Sequence, residues 1–213
     1  MNPVIEILKK QCPPIFLVED AVEQLKQHFK APLKKLQSLE SKGELIRLKK
    51  GTYTFRDLPH RYVIAGLLYQ PSYLSFESAL SFYSLIPERV DLIQSVTQSR
   101  STKINTPIGT FHYHAQQLEL YAAGMSMRLV DQQPVFIATP EKALLDTLHQ
   151  HQLKAKNMNP KEVWNYVVNG LRIDDSELFK LDGHLISELV PHYRNMAPRK
   201  FLEFLNQKKK TPT

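Results

Sequence analysis

The chain has 213 residues, 42% of them hydrophobic and 23% charged, with a formal net charge of +7 at pH 7. That composition suits a soluble globular protein with a real core. No apolar run reaches the roughly 18 residues of a membrane span, the first lysines follow rather than precede the apolar residues of the start, and the single cysteine, Cys12, excludes an internal disulfide. The expected setting is reducing and cytoplasmic.

The positive charge is unevenly spread. Residues 1–56 hold eleven Lys and Arg against six acids, a balance of +5, while the remaining 157 residues hold 17 against 15. An anionic partner for the first quarter, most simply a nucleic acid, follows from that asymmetry.

In chain order, Val4, Ile5 and Leu8 form a short helical stripe that ends at Cys12-Pro13-Pro14. Val18, Val22, Leu25 and Phe29 recur at helical spacing, with Glu19, Asp20 and Glu23 suited to the positive end of the helix. Pro32 can open a third helix whose buried face is Leu33, Leu36 and Leu39, and Gly43 can cap it. Glu44–Leu48 and Thr52–Phe55 then read as a hairpin around a three-residue Lys49-Lys50-Gly51 loop. Three helices and a hairpin in about 55 residues is the winged helix-turn-helix order, in which the third helix enters the major groove.

Arg56–Pro59 reads as a junction. Helices are expected over Pro59–Tyr69 and from Ser75 to about Ser84, with Ser75 as N-cap and Pro87 as a stop. The period then changes, and Asp91–Gln98, Gly109–Ala115, Met125–Val130 and Pro134–Ala138 read as strands. Thr139-Pro140-Glu141 starts another helix as N-cap, first-turn proline and dipole-compatible acid. Further helices are expected over Pro160–Asn169, Ser176–Leu181, His184–His192 and Pro198–Asn206. The expected fold class is α+β. Residues 1–57 form a winged helix, and residues 58–207 a domain with a short, mainly antiparallel sheet and a helical C-terminal third. Residues 208–213 form a disordered tail.

On the third helix, Lys34, Lys35, Gln37, Ser38 and Ser41 lie off the leucine stripe and can face a groove. The lysines would neutralise phosphate, and Gln37 and Ser38 would reach base edges. Lys49 and Lys50 at the hairpin tip, with Arg47 on its first strand, can follow a neighbouring backbone. The alternative is a protein-docking module whose lysines only block edge pairing.

Catalytic and metal patterns are weaker. His112 and His114 share one face of a strand, while His149 and His151 diverge by about 200° on a helix. With no further ligands at recognisable spacing, all four are expected to be solvent-exposed. There is no glycine-rich phosphate loop, and no pattern requires a cofactor. Cys12 reads as a small core residue. Glu77, Glu88, Asp91, Glu119 and Glu141 could serve a metal-dependent nuclease but show no common spacing.

Three ordered segments resemble the AbiEi family of antitoxins and viral-defence transcriptional regulators. They are Pro71–Leu80 (PSYLSFESAL) with Leu85-Ile86-Pro87-Glu88, Thr106–Tyr113 (TPIGTFHY), and Ala138–Asp146 (ATPEKALLD). Gly51-Thr52-Tyr53 after a basic helix agrees with that family's N-terminal module. The resemblance implies a winged helix that binds double-stranded DNA repeats in its own promoter and represses transcription. It also implies a second domain that counteracts a nucleotidyltransferase-like toxin in a type IV toxin–antitoxin system. Caps and apolar periodicity account for most of these anchor residues. Arg100, Lys103, Arg128 and Lys142 have no such reason and stand out as positions to examine.

Overall fold

A computed structural model describes residues 2–88, 90–151 and 158–210. Helix α1 (Pro3–Gln11) starts where the Asn2 side chain accepts from the Val4 N–H, with Pro3 in its first turn. After strand β1 (Ile15–Leu17) come α2 (Val18–Lys26), α3 (Pro32–Ser41), β2 (Leu45–Lys49) and β3 (Thr52–Phe55). The three strands form an antiparallel sheet in the order β1-β3-β2. Val4, Ile5, Leu8, Leu25, Leu36, Leu45 and Phe55 are among the side chains of a small core between the helices and this sheet.

Three expectations for this unit need correcting. Strand β1 follows Pro13-Pro14 directly and is too short for a period to show, yet Ile15 pairs with Thr54. Leu33 is 51% exposed while Leu36 and Leu39 are buried. Leucines three apart drift by about 60° per step around a helix, so Leu33 rotates off the core face. Finally, Lys49 is part of β2 and pairs with Thr52, after an irregularity between Arg47 and Lys49. The turn is therefore Lys50-Gly51, with Gly51 at φ +75°. Gly43 does cap α3, at φ +68°.

The rest of the chain builds a six-stranded sheet. Its elements are α4 (Arg61–Leu68), β4 (Ser72–Leu74), α5 (Phe76–Phe82), β5 (Ile93–Thr97), β6 (Thr102–Thr106) and β7 (Gly109–Ala115). They continue through α6 (Leu118–Ala122), β8 (Met125–Val130), β9 (Gln133–Ala138) and α7 (Pro140–Gln150). The strand order is β6-β7-β5-β4-β9-β8. Pairs β6–β7, β5–β4 and β9–β8 are antiparallel, while β7–β5 and β4–β9 are parallel. The fold is thus mixed α/β with a mainly antiparallel sheet.

Alternation along β7 shows how the sheet is covered, because successive residues point to opposite faces. The Tyr113 hydroxyl donates to the Ala65 carbonyl of α4 at 2.8 Å. On the other side His114 packs on Phe76 of α5 and contacts Gln150 of α7. The sheet therefore lies between α4 and the α5–α7 pair. Strands β4 and β6 leave little mark in the sequence: β4 is three residues between helical runs, and β6 (TKINT) has one apolar residue in five.

The C-terminal third is helical as expected. Helix α8 (Pro160–Asn165) passes into a π-helical turn (Tyr166–Gly170), and α9 (Asp175–Lys180) and α10 (Gly183–Leu189) follow. A 3₁₀ turn (Val190–His192) leads to α11 (Met196–Lys210). The expected tail is shorter than residues 208–213, since Lys208–Lys210 form the last turn of α11. Lysine is a good helix former and its charge suits the negative end of the helix. Residues 211–213 lie outside the described residues. Among the described residues no helix is long and apolar enough to cross a membrane.

The two units share packing. Ile15 and Leu48 of the small sheet join the larger core, β2 lies beside β6, and the Lys49 ammonium donates to the Leu68 carbonyl. The hairpin is consequently held on one side against the larger domain.

Candidate functional site

Lys34, Lys35, Gln37, Ser38 and Ser41 are all exposed on α3, opposite the buried Leu36 and Leu39. Their spacing puts Lys34, Gln37, Ser38 and Ser41 on one stripe. The Ser41 hydroxyl is already used, donating to the Ser38 carbonyl at 2.9 Å. The Lys35 ammonium lies 5.5 Å from the centre of the Phe29 ring, a cation–π contact. Helix α3 is fixed to the sheet by Tyr53, whose hydroxyl donates to Glu40 at 2.9 Å.

On the hairpin, Arg47 and Lys50 are exposed. Lys34, Lys35, Arg47 and Lys50 form no ion pair among the described residues, so their charge faces solvent uncompensated. Lys49 does not join them. Its ammonium donates to the Leu68 carbonyl at 2.8 Å and sits 6.0 Å from the Tyr69 ring centre, and burial lowers its pKa. The bulge before Lys49 turns it towards the larger domain, which residue type alone could not reveal. Lys30, Lys42 and Arg56 are further exposed cations flanking α3 and the hairpin. Their charge beside the basic helix is the signal in the sequence that marks them.

A second centre lies inside the larger domain. Lys142 and Asp146, one turn apart on α7, meet at 2.5 Å with both side chains at 0% exposure. Asp146 Oδ1 also accepts from Gln116 at 2.7 Å and Tyr193 at 2.7 Å, and Oδ2 accepts from Ser75 at 2.6 Å. The Lys142 ammonium donates in turn to Gln116 Oε1 at 3.0 Å. Burial draws the Lys142 pKa down, and Asp146 works against that. Ser75 therefore does not cap α5 with its side chain; its hydroxyl ties β4 to α7. With two hydrogen bonds from Lys142 and four to Asp146, this buried pair ties β4, the segment after β7, α7 and the C-terminal third together.

Next to this network is a cavity of about 400 Å³ lined by Phe76, His114, Gln116, His149, Gln150 and Arg194, among others. Phe76 has φ +54°, a strained conformation for an aromatic residue. The histidines are not all exposed as expected. His114 is half-buried, and burial, with His112 4.0 Å away ring to ring, pushes its pKa down to about 4. His149 is also half-buried, and its Nδ1 has no hydrogen-bond partner among the described residues. His151 is exposed and pairs with Glu77 at 2.8 Å, which raises its pKa.

Three of the five carboxylates of the nuclease alternative are engaged separately, and Asp91 and Glu119 are exposed. Glu77 holds His151 and Gln94, Glu88 holds Arg172, and Glu141 accepts from the Asp182 N–H. Among the described residues no three His, Cys, Asp or Glu side chains come together as a metal-ligand group. Arg100, Lys103 and Arg128 are exposed.

No family model matches the chain, and no curated protein matches it. The fold has a solved counterpart in the crystal structure of the RV2827C protein from Mycobacterium tuberculosis, with a TM-score of 0.65 and 14% identity. The match covers 98% of this chain and 76% of that one, a likeness of fold.

Proposed function

We propose that the chain is a DNA-binding transcriptional autorepressor whose first 57 residues act as a winged helix, and that it doubles as an antitoxin of the AbiEi kind. The observation that carries this reading is the exposed stripe of α3. Lys34, Lys35, Gln37 and Ser38 project away from Leu36 and Leu39, with Arg47 and Lys50 exposed on the following hairpin. Cations beside neutral hydrogen-bonding side chains are what phosphate neutralisation and base reading require together. In this reading Lys49 anchors the wing rather than touching DNA. The antitoxin half rests on the resemblance of the three ordered segments and would belong to the larger domain.

Binding to the chain's own upstream region, compared with unrelated DNA of equal length, tests the first half. Equal and weak binding to both would contradict it. Co-expression with a nucleotidyltransferase-like protein encoded beside it tests the second, through rescue of growth. A docking module is the competing reading, favoured by Leu17 and Leu33, which are 50% and 51% exposed on the basic unit. It predicts a stable protein complex and no salt-dependent DNA binding.

A further inference from the structure

The large sheet has two edges, and they differ. At β6 the edge lies beside β2 of the small unit. At β8 no further strand follows among the described residues. Strand β8 has no proline and one charge, Arg128, so it lacks the usual protections of an open edge. It also carries an apolar face: Met125, Met127 and Leu129 are 40%, 56% and 63% exposed, with Phe136 of β9 at 52% and Leu67 of α4 at 39%. Together they present on the order of 500 Å² of apolar surface, at the upper end for a monomer.

The hairpin fixes which backbone groups point outward. Asp131 and Gln132, both at positive φ, form its two-residue turn, the signature of type I′. Leu129 pairs with Pro134, which has no N–H, so this is a non-hydrogen-bonded pair. By alternation Met127 and Met125 share that status. The N–H and C=O groups of Met125, Met127 and Leu129 therefore point away from β9, to the open edge.

We propose that this edge pairs antiparallel with β8 of a second copy of the chain, in a two-fold register centred on Met127. In that register Met127 faces the partner's Met127, and Met125 faces the partner's Leu129. All the outward groups of these three residues are then satisfied, by about six backbone hydrogen bonds. Arg128 comes opposite the partner's Ser126 in a close, non-hydrogen-bonded pair. The Ser126 hydroxyl is buried with no hydrogen-bond partner among the described residues, and the guanidinium supplies a donor for it. Other registers are poorer. Centring on Arg128 sets two guanidiniums face to face, centring on Ser126 leaves Leu129 unpaired, and centring on Leu129 runs Met127 into the turn. A standard interface covers about 800 Å² per partner, which the apolar patch, the strand backbone and the rim side chains together approach. The inference rests on the open edge and not on DNA binding, although a two-fold pair would offer two α3 helices to repeated DNA half-sites.

Cysteine placement tests the register on the full chain in a Cys12→Ser background. Under mild oxidation Met127→Cys is expected to give a disulfide-linked dimer, since facing pairs lie within bridging range. Leu129→Cys alone is expected not to, being displaced from its own copy, whereas the double change Met125→Cys/Leu129→Cys restores linkage. Sedimentation of the unmodified chain is expected to show a dimer. Met127→Pro removes only an outward N–H from each copy and is expected to weaken the dimer about tenfold to a hundredfold. A monomer at micromolar concentration, or linkage through Leu129→Cys as efficient as through Met127→Cys, would overturn the proposal. If Met127→Pro fails to fold, the cysteine pattern alone decides.

Discussion

Lys142 donates to Asp146 at 2.5 Å across one turn of α7, with neither side chain reaching solvent. Removing one partner strands a buried charge, so Asp146→Ala is expected to cost about 3–5 kcal/mol of folding stability. Lys142→Met with Asp146→Leu should cost less than Asp146→Ala alone, because no lone charge remains. Urea unfolding midpoints of the unmodified chain and the two variants decide it. A double change as damaging as the single one would mean that Ser75, Gln116 and Tyr193, not the charge pair, dominate the centre.

In the proposed function Lys49 anchors the hairpin and does not touch DNA. Lys49→Met removes the bond to the Leu68 carbonyl, at about 1 kcal/mol of stability. It should leave the salt dependence of DNA binding where it was, measured as the slope of log affinity against log salt. A slope reduced by about 0.9, one phosphate contact, would show that Lys49 leaves its anchor to reach DNA.

His114 makes stability depend on pH. Burial holds its folded pKa at about 4, against about 6.5 unfolded. Between those values the unfolded chain binds the proton that the folded chain refuses, so stability falls as pH drops from about 6.5 towards 4. Below that range this group adds no further loss. The opposing neighbours Glu77 and Asp146, and the adjacent His112, act on the same ring. Denaturant unfolding at pH 7 and pH 5 should show a smaller difference for His114→Gln than for the unmodified chain. Equal differences would contradict the assignment.

Gly43 and Gly124 share φ +68°, but their surroundings differ. A Cβ at Gly43 meets nothing within 4 Å, whereas one at Gly124 would lie 2.9 Å from Lys142 Cβ and 3.3 Å from Leu189 Cδ1. Gly43→Ala should therefore cost about 1 kcal/mol, from the backbone conformation alone. Gly124→Ala should cost at least about 1 kcal/mol more, through the crowding of α7. Thermal unfolding of the two variants checks the difference.

Caps and periods were legible at α7 and α3, though the Ser75 hydroxyl bonds Asp146 instead of capping α5 and Leu33 leaves the leucine stripe. Thr139-Pro140 opened α7 and Gly43 closed α3 as their chemistry requires. The misses have physical causes. Strands β1 and β4 are three residues each, shorter than two periods, and acquire their identity from partners far along the chain. Parallel pairing of β7 with β5 and of β4 with β9 depends on crossovers that leave no local mark. At the site, exposure of Lys34, Lys35, Gln37 and Ser38 followed from helical phase. The inward turn of Lys49 depended on a bulge and on a domain packed behind the hairpin. Lys142 stood out as a polar residue without a local reason, and its reason is Asp146, Gln116 and the fold around them.

In the proposed function, the exposed face of α3 and the hairpin turn bind DNA through uncompensated cations. The most direct measurement is the salt dependence of binding to the chain's own upstream DNA, for the unmodified chain and for Lys34→Ala/Lys35→Ala/Lys50→Ala. The account predicts that the triple variant binds more weakly and that its slope falls by about 0.9 for each phosphate no longer neutralised. A triple variant with unchanged affinity and unchanged slope would contradict it.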